Sequence, residues 1–325
     1  MINIAFVDWW TGFDSHSNFI TRALDGKVQY RIVNNPSETD FVFCSVWKND
    51  CFDYSCPRVL FTGECYTPDF NLYDYAIGFD KLLLGDRYIR YPLYLACYEE
   101  MCNKAQNERI ISGNEYSRDF CSYVVSNVAD DYRDRLYSEL TAYKKVFSGG
   151  KHLNNIGIPD GVNDKQEFIS QYKFNIACEN VSKTGYCTEK IVEAFAANTI
   201  PIYWGDPDIE EYFNKKAFIN CHNYENMNEL IDHIKMIDSN NDLYMDMLSQ
   251  SAFNGGQYDP ILMKSEFENW IVSIVTQSKE KAFRRIRKGF CEIYEKELVE
   301  YIDYKNHRKK SLRRKNKWLR NFISM

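Results

Sequence analysis

The chain has 325 residues, 45% of them apolar, enough for a sizeable core in two domains of ordinary size or one large one, and this excludes wholesale disorder. Forty Lys and Arg against 46 Asp and Glu leave a net charge of −6, which excludes a protein that coats nucleic acid over its whole surface. The 21 Phe, 24 Tyr and 6 Trp supply rings for a core and for stacking on sugars or bases.

The opening Met1-Ile2-Asn3-Ile4-Ala5-Phe6-Val7-Asp8 has no basic start, and its apolar run ends within a few residues, so it does not read as an export signal. No uninterrupted stretch approaches the ~18 apolar residues of a membrane span. A cytoplasmic protein with reduced thiols is expected. Of the eleven cysteines, Cys51/Cys56 and Cys97/Cys102 have close spacing but no convincing His partner, so buried or idle thiols are expected rather than zinc ligands.

In chain order, Asn3 to Val7 reads as a short buried strand, and Val59 to Gly63 as another, stopped by its glycine. Tyr66 to Tyr94, rich in Tyr, Asp and Pro, reads as ordered loop. A break near Ser112 to Ser117 precedes a strand over Cys121 to Val125. A helix over Arg133 to Lys145 follows, with Leu136, Leu140 and Tyr143 at helical spacing and Gly149-Gly150 as its stop. Next come a helix at Lys165 to Gln171 and a strand at Phe174 to Cys178. A helix opens at Thr188 as N-cap, with Ile191, Val192, Phe195 and Ala196 as its apolar stripe and Asn198 at its end. Ile200 to Trp204 is a strand closed by Gly205, and Asn226 to Leu248 carries further helices. This alternation predicts an α/β fold with parallel sheets covered by helices.

The expected division is 1–115 as an N-terminal domain, 116–275 as a C-terminal domain and 276–325 as a helical, basic tail. Residues 305–325 carry nine Lys or Arg and no acid, interleaved with Leu312, Trp318, Leu319, Phe322 and Ile323. Such a segment suits an anionic membrane surface. The other readings are a frayed soluble tail and nucleic-acid contact.

Ligands of open parallel sheets bind beyond the carboxyl ends of the strands. That rule marks Glu64, Ser126-Asn127, Glu179-Asn180 and Gly205-Asp206. The helix start at Thr188, with Arg133 and Lys190 nearby, suits an anion, and Glu189 suits a hydroxylated group such as ribose. Solvated helix charges are the alternative reading. A P-loop and a G-x-G-x-x-G after the first strand are both absent, against a P-loop kinase and a dehydrogenase. Asp206-Pro207-Asp208 reads as turn and capping residues rather than a metal site.

The runs Tyr172 to Asn180, Gly185 to Ile191 and Ile200 to Gly205 resemble the signature of the α-1,3-fucosyltransferases, glycosyltransferase family 10. Phe61 to Glu64, Asp74 to Asp80, Arg87 to Pro92 and Phe120 to Asn127 match the same family in order, so the resemblance runs from about residue 59 to about 260, closest to the soluble bacterial members.

The resemblance implies two facing Rossmann-like domains of GT-B type with the active site in the cleft. The first binds the acceptor and the second the donor. It also implies inverting, metal-independent transfer of fucose from GDP-fucose to a glycan, typically O3 of N-acetylglucosamine in a lactosamine unit, for Lewis-type or related surface glycans. By matching position, Glu64 is the general base in a dry pocket that raises its pKa, and Arg133 and Lys190 stabilise the departing diphosphate. Glu189 takes the ribose, Asn127, Asn180 and Tyr186 line the donor pocket, and Glu179 either sits near the fucose or orders the loop Val181 to Gly185. The partners implied are GDP-fucose, a lactosamine-like acceptor and, through the tail, the inner face of a membrane, with no cofactor, metal or nucleic acid. The alternatives are the same fold with another nucleotide sugar, and a non-catalytic glycan- or nucleotide-binding protein. Cys178 and Cys187 depart from the Phe and Val common among relatives, which implies a looser nucleotide pocket.

Overall fold

The computed structural model describes residues 1–107, 111–127 and 130–305. In chain order the elements are β1 (Ile2–Val7), α1 (Phe19–Leu24), β2 (Tyr30–Ile32), β3 (Phe41–Cys44), β4 (Arg58–Phe61), β5 (Tyr75–Gly78) and β6 (Tyr88–Arg90). These are followed by α2 (Leu93–Cys97), α3 (Glu99–Gln106), β7 (Asp119–Tyr123), α4 (Asp131–Tyr143), β8 (Val146–Ser148), α5 (Lys165–Ser170) and β9 (Tyr172–Cys178). Last come α6 (Lys190–Ala196), β10 (Ile200–Trp204), β11 (Ile219–Asn220), α7 (Met227–Ser239), α8 (Asn241–Ser249), α9 (Pro260–Val275) and α10 (Lys279–Ala282).

The strands form two sheets, a six-stranded one ordered β2-β1-β3-β4-β5-β6 and a five-stranded one ordered β11-β10-β9-β7-β8. In the first sheet β1 runs parallel to β2 and β3, and β3, β4 and β5 follow in parallel. In the second, β9 lies parallel to β7 and β10, with β8 and β11 outside them. This is the expected α/β class with a parallel sheet in each half.

The sequence supports the strands directly. All four residues of β4 and all seven of β9 are buried, as strands covered on both faces require. The core of the second half gathers Phe120, Leu136, Leu140, Phe174, Ile200 and Ile234. Each such apolar side chain contributes about 1.5–3 kcal/mol on full burial. Lys173, buried in β9, is paired: its Nζ donates to the carbonyl and Oδ1 of Asp238 at 2.7 Å each, joining β9 to the end of α7.

Two expectations need correction. The segment Tyr66 to Tyr94 is not all loop, because it contains β5 and β6; their mixed Tyr, Ala, Ile and Gly composition hides the strand pattern. Gly149-Gly150 does not stop a helix. α4 ends at Tyr143 and β8 intervenes, and a Cβ on Gly150 would lie 1.9 Å from the Val125 carbonyl oxygen. The glycine is there for backbone contact.

By compactness the chain forms two units. One unit holds Met1–Ile77, Leu84–Tyr88 and the residues from Trp270 onward; the other holds Gly78–Leu83 and Ile89–Asn269. The segment after Trp270 joins the first unit through Asp74, whose Oδ1 accepts from the backbone N–H groups of Arg284 and Arg285 at 2.8 and 3.0 Å. Arg58 also pairs with Glu295 at 2.7 Å. Residues 290–305 are helical, and of the basic segment only Lys305 lies among the described residues. No helix among those residues is long and apolar enough to cross a membrane.

Candidate active site

In the second sheet the chain moves from β7 outward to β8, then returns to β9 on the other side of β7. Strand order therefore reverses between β7 and β9, and the crevice beyond their carboxyl ends is where such sheets bind ligands. Asn127, Arg133, Glu179 and Asn180 are gathered there. Arg133 lies in the first turn of α4, whose N-cap Asp130 accepts from the Tyr132 N–H at 2.8 Å. It is 1% exposed, so it is not an open surface cation. Its Nη1 donates to Asn180 Oδ1 at 3.0 Å and its Nη2 to the Asn127 carbonyl, while Nε is buried without a partner.

Glu179, at the end of β9, is fully buried. It accepts from the Thr188 N–H at 2.7 Å, the Thr188 hydroxyl at 2.5 Å and Lys190 Nζ at 2.8 Å. Of the two readings for Glu179, these bonds favour the one in which it orders the loop. They also correct the view of Thr188 as a side-chain cap that leaves free N–H groups for a phosphate. Helix α6 starts at Lys190, and the Thr188 N–H and hydroxyl are taken by Glu179. Asn198 does end the helix, in the left-handed region at φ 54°.

Lys190 also contacts Glu189 at 3.3 Å. Burial opposes its charge, but Glu179 and Glu189 hold its pKa above the usual lysine range. Burial would raise Glu189, yet Lys190 and Lys165 outweigh it and hold that carboxyl down to about 2. Lys190 thus lies between two acidic side chains, at 2.8 Å from Glu179 and 3.3 Å from Glu189.

Tyr186 is buried, its ring edge-on to Phe79 at 5.0 Å, where it packs the loop. Sequence reasoning gave no role to the segment below it. Lys183 pairs with Asp80 at 3.3 Å and lies over the Phe79 ring, and a Cβ on Gly185 (φ +81°) would meet the Phe79 carbonyl at 2.6 Å. Arg90 Nε donates to that carbonyl at 3.0 Å, with its guanidinium 4.1 Å above the Tyr212 ring. The available signal was Asp74 to Asp80, seen as a family block without assigned chemistry.

Asp206 is a turn residue, as expected: its Oδ1 accepts from the Asp208 N–H at 2.9 Å. Burial lifts its carboxyl above the ordinary aspartate range, against the N–H groups of Gly185 and Asp208. Asp208 pairs instead with Lys81 at 2.7 Å. Among the described residues no group of three or more His, Cys, Asp or Glu is placed to hold a metal ion. Cys178 and Cys187 are buried core thiols whose pKa is pushed up by burial.

Glu64 belongs to the other unit. It sits three residues past β4 in an exposed loop, so its own unit does not form the dry pocket expected around it. The Thr62 hydroxyl donates to its carbonyl at 3.3 Å and to that of Tyr66 at 2.9 Å, shaping the turn.

Comparison with known proteins agrees with the block pattern. The profile described as "Alpha-(1,3)-fucosyltransferase FucT N-terminal domain" matches residues 4–98, and "Glycosyltransferase family 10 (fucosyltransferase) C-term" matches residues 115–252. The Helicobacter pylori alpha-(1,3)-fucosyltransferase FucT is 35% identical over 295 residues, 78% of this chain, and the match spans about 60% of that relative's length. The human 4-galactosyl-N-acetylglucosaminide 3-alpha-L-fucosyltransferase 9 is 32% identical over 128 residues, 38% of this chain and 34% of that protein. A crystal structure of an alpha1,3-fucosyltransferase with GDP-fucose superposes with a TM-score of 0.72 at 30% identity, covering 85% of this chain and 91% of that one. Two parallel α/β sheets, the ordered blocks and these matches agree: the chain belongs to glycosyltransferase family 10, the α-1,3-fucosyltransferases.

Proposed function

We propose that the chain transfers L-fucose from GDP-fucose, with inversion and without a metal, to O3 of N-acetylglucosamine in a lactosamine-like glycan, as in Lewis-type surface glycan synthesis. The observation that carries this reading is the Glu179–Lys190–Glu189 group at the β7/β9 crevice, with Arg133 bonded to Asn180, the residue after Glu179. GDP-fucose is bound in a solved relative, and another relative is named for a galactosyl-N-acetylglucosaminide acceptor.

In this reading the acceptor hydroxyl attacks the anomeric carbon as the bond to the β-phosphate oxygen breaks. Glu64 takes the hydroxyl proton, and the bonding pair leaves on GDP. Glu179 holds Lys190 from beneath. The longer Lys190–Glu189 contact is the one exchanged when Glu189 turns to the ribose hydroxyls, which frees an ammonium edge for the diphosphate. Arg133 exchanges its bonds to Asn180 and the Asn127 carbonyl for phosphate oxygens. Preplaced cations of this kind supply several kcal/mol to a departing anion. The basic segment beyond residue 304 holds the enzyme at the inner face of an anionic membrane.

The test is incubation with GDP-fucose and lactosamine in excess EDTA. Release of GDP with an α-linked fucoside, its linkage read by NMR, is expected. GDP binding with neither transfer nor donor hydrolysis means a binding protein. Turnover with a different nucleotide sugar reassigns the donor. Activity lost in EDTA and restored by magnesium or manganese removes the cationic side chains from their role.

A further inference from the structure

The first unit has its own reversal of strand order. With β2 on one side of β1 and β3 on the other, the crevice lies beyond the carboxyl ends of β1 and β3. The chain places three tryptophans on those two ends. After β1, Asp8 takes the left-handed conformation at φ 63°, a turn that Asp tolerates better than most residues. Two adjacent tryptophans with different fates follow it. Trp9 turns inward, is 8% exposed, donates from Nε1 to the Phe43 carbonyl at 3.0 Å and stacks on Phe13 at 4.0 Å. Trp10 is half-buried, edge-on to Phe13 at 5.4 Å.

After β3, Trp47 is 55% exposed, an unusual cost for so large an apolar ring. Its position is built. The Trp47 N–H donates to the Asp8 carbonyl at 3.1 Å, and the Asp8 carboxylate accepts from the N–H groups of Asp50 and Cys51 at 2.8 and 2.9 Å. Asp8 thereby fastens the Trp47 loop to the turn that carries Trp10. The Glu64 loop is one strand further along, and Ser45 Oγ donates to the Phe61 carbonyl at 3.0 Å to join the ends of β3 and β4.

We infer that Trp47, on the loop that Asp8 fastens to the turn carrying Trp10 at the β1/β3 crevice, is an acceptor subsite that stacks on the apolar C–H face of a pyranose ring in the glycan whose hydroxyl is fucosylated. The inference rests on the fucosyltransferase reading and names the surface that selects its acceptor. A flat ring presented to water offers a sugar its C–H face and leaves the sugar hydroxyls free for solvent. The cations assigned to the diphosphate, Arg133 and Lys190, belong to the second unit, so the occupant argued for Trp47 in the first is the neutral acceptor.

Trp47→Ala tests this in the full chain, since an exposed ring can be removed without opening the core; Trp10→Ala is less clean because Trp10 packs on Phe13. Trp47→Ala is expected to raise the lactosamine KM about five- to tenfold, as loss of one aromatic contact does, leaving the GDP-fucose KM and slow donor hydrolysis within about twofold. Trp47→Phe is expected to recover most of the loss. A second readout needs no turnover: saturation-transfer NMR of lactosamine with the GDP-bound protein is expected to lose its sugar C–H signal in the Ala variant. An unchanged acceptor KM and NMR signal, or a parallel rise in the donor KM, overturns the subsite. Lactosamine binding at Trp47 without transfer by the unaltered chain would leave the subsite standing and defeat the fucosyltransferase reading.

Discussion

Lys190 carries the local fold as well as the donor-site role proposed for it. Its ammonium is the partner of Glu179, which is 0% exposed, and of Glu189. Lys190→Met strands a buried carboxylate and is expected to cost about 3–5 kcal/mol in urea unfolding as well as activity. The double variant Glu179→Gln with Lys190→Met removes both members of the buried pair and is expected to regain part of that loss. A double variant less stable than Lys190→Met would mean that the bonds from Thr188, not charge, dominate the site. Glu189 gives the pH dependence. Its folded pKa of about 2 lies below the ordinary 4.5, so the stability it adds is fully present above about 4.5 and is lost as pH falls toward 2. The stability gap between the unaltered chain and Glu189→Gln is therefore expected to narrow over that window, by on the order of 2–3 kcal/mol. A gap that stays constant would show that the cations do not act on Glu189. On the acceptor side, Glu64 is exposed in its own unit, so Glu64→Gln leaves the fold intact. It is expected to cut turnover at least about a hundredfold with GDP affinity unchanged. Collapse of GDP binding in calorimetry would take Glu64 off the acceptor side.

Between β7 and β8 the loops are fixed by contact of backbone with backbone. A Cβ at Gly150 would sit 1.9 Å from the Val125 oxygen and 2.5 Å from its nitrogen, atoms that cannot swing aside as a side-chain end can. Gly150→Ala is expected to cost more than about 3 kcal/mol or to abolish folding, with Gly157→Ala, whose Cβ meets open space, costing about 1 kcal/mol at a strained φ of +78°. Equal melting temperatures for the two variants would contradict this. The same contact shows what was legible. Long, mostly apolar runs such as β9 and β10 declare themselves, even though β9 also buries Lys173 and Asn175. Arg133, Glu179, Glu189 and Lys190 were marked as candidates because they end strands or begin helices in the second sheet, where ligand position follows from topology. The role of Gly150 was hidden because close approach of residues 25 apart leaves no trace in local pattern. β2, β5 and β6 were missed since three or four residues with mixed polarity carry no period. The Phe79–Asp80 support under Lys183, Gly185 and Tyr186 was missed because it joins segments about 100 residues apart.

Across the whole chain the charge is divided unevenly along the sequence. The chain as a whole is at −6, and nine of its cations lie in residues 305–325 with no acid among them, which leaves residues 1–304 at −15. A body of that sign is repelled by an anionic bilayer, so attraction to one has to come from the basic segment, with Trp318, Leu319, Phe322 and Ile323 adding apolar contact. The helix of residues 290–305 leads into that segment and belongs to the first unit through Arg58 and Glu295. Removing residues 305–325 therefore cuts outside the Asp74 and Glu295 contacts. In sedimentation with vesicles containing about a third anionic phospholipid, the full chain is expected to pellet and the truncated one to stay in solution. The binding should fall steeply with salt, because surface charges are screened within about 10 Å at 0.1 M ionic strength. Transfer to a soluble acceptor is expected to stay within about twofold of the full chain, since none of Glu64, Arg133 or Lys190 is touched. If the truncated protein pellets as fully as the intact one, the membrane role passes to the folded body, against its charge. If instead pelleting of the full chain is insensitive to salt, the apolar residues and not the nine cations hold it there.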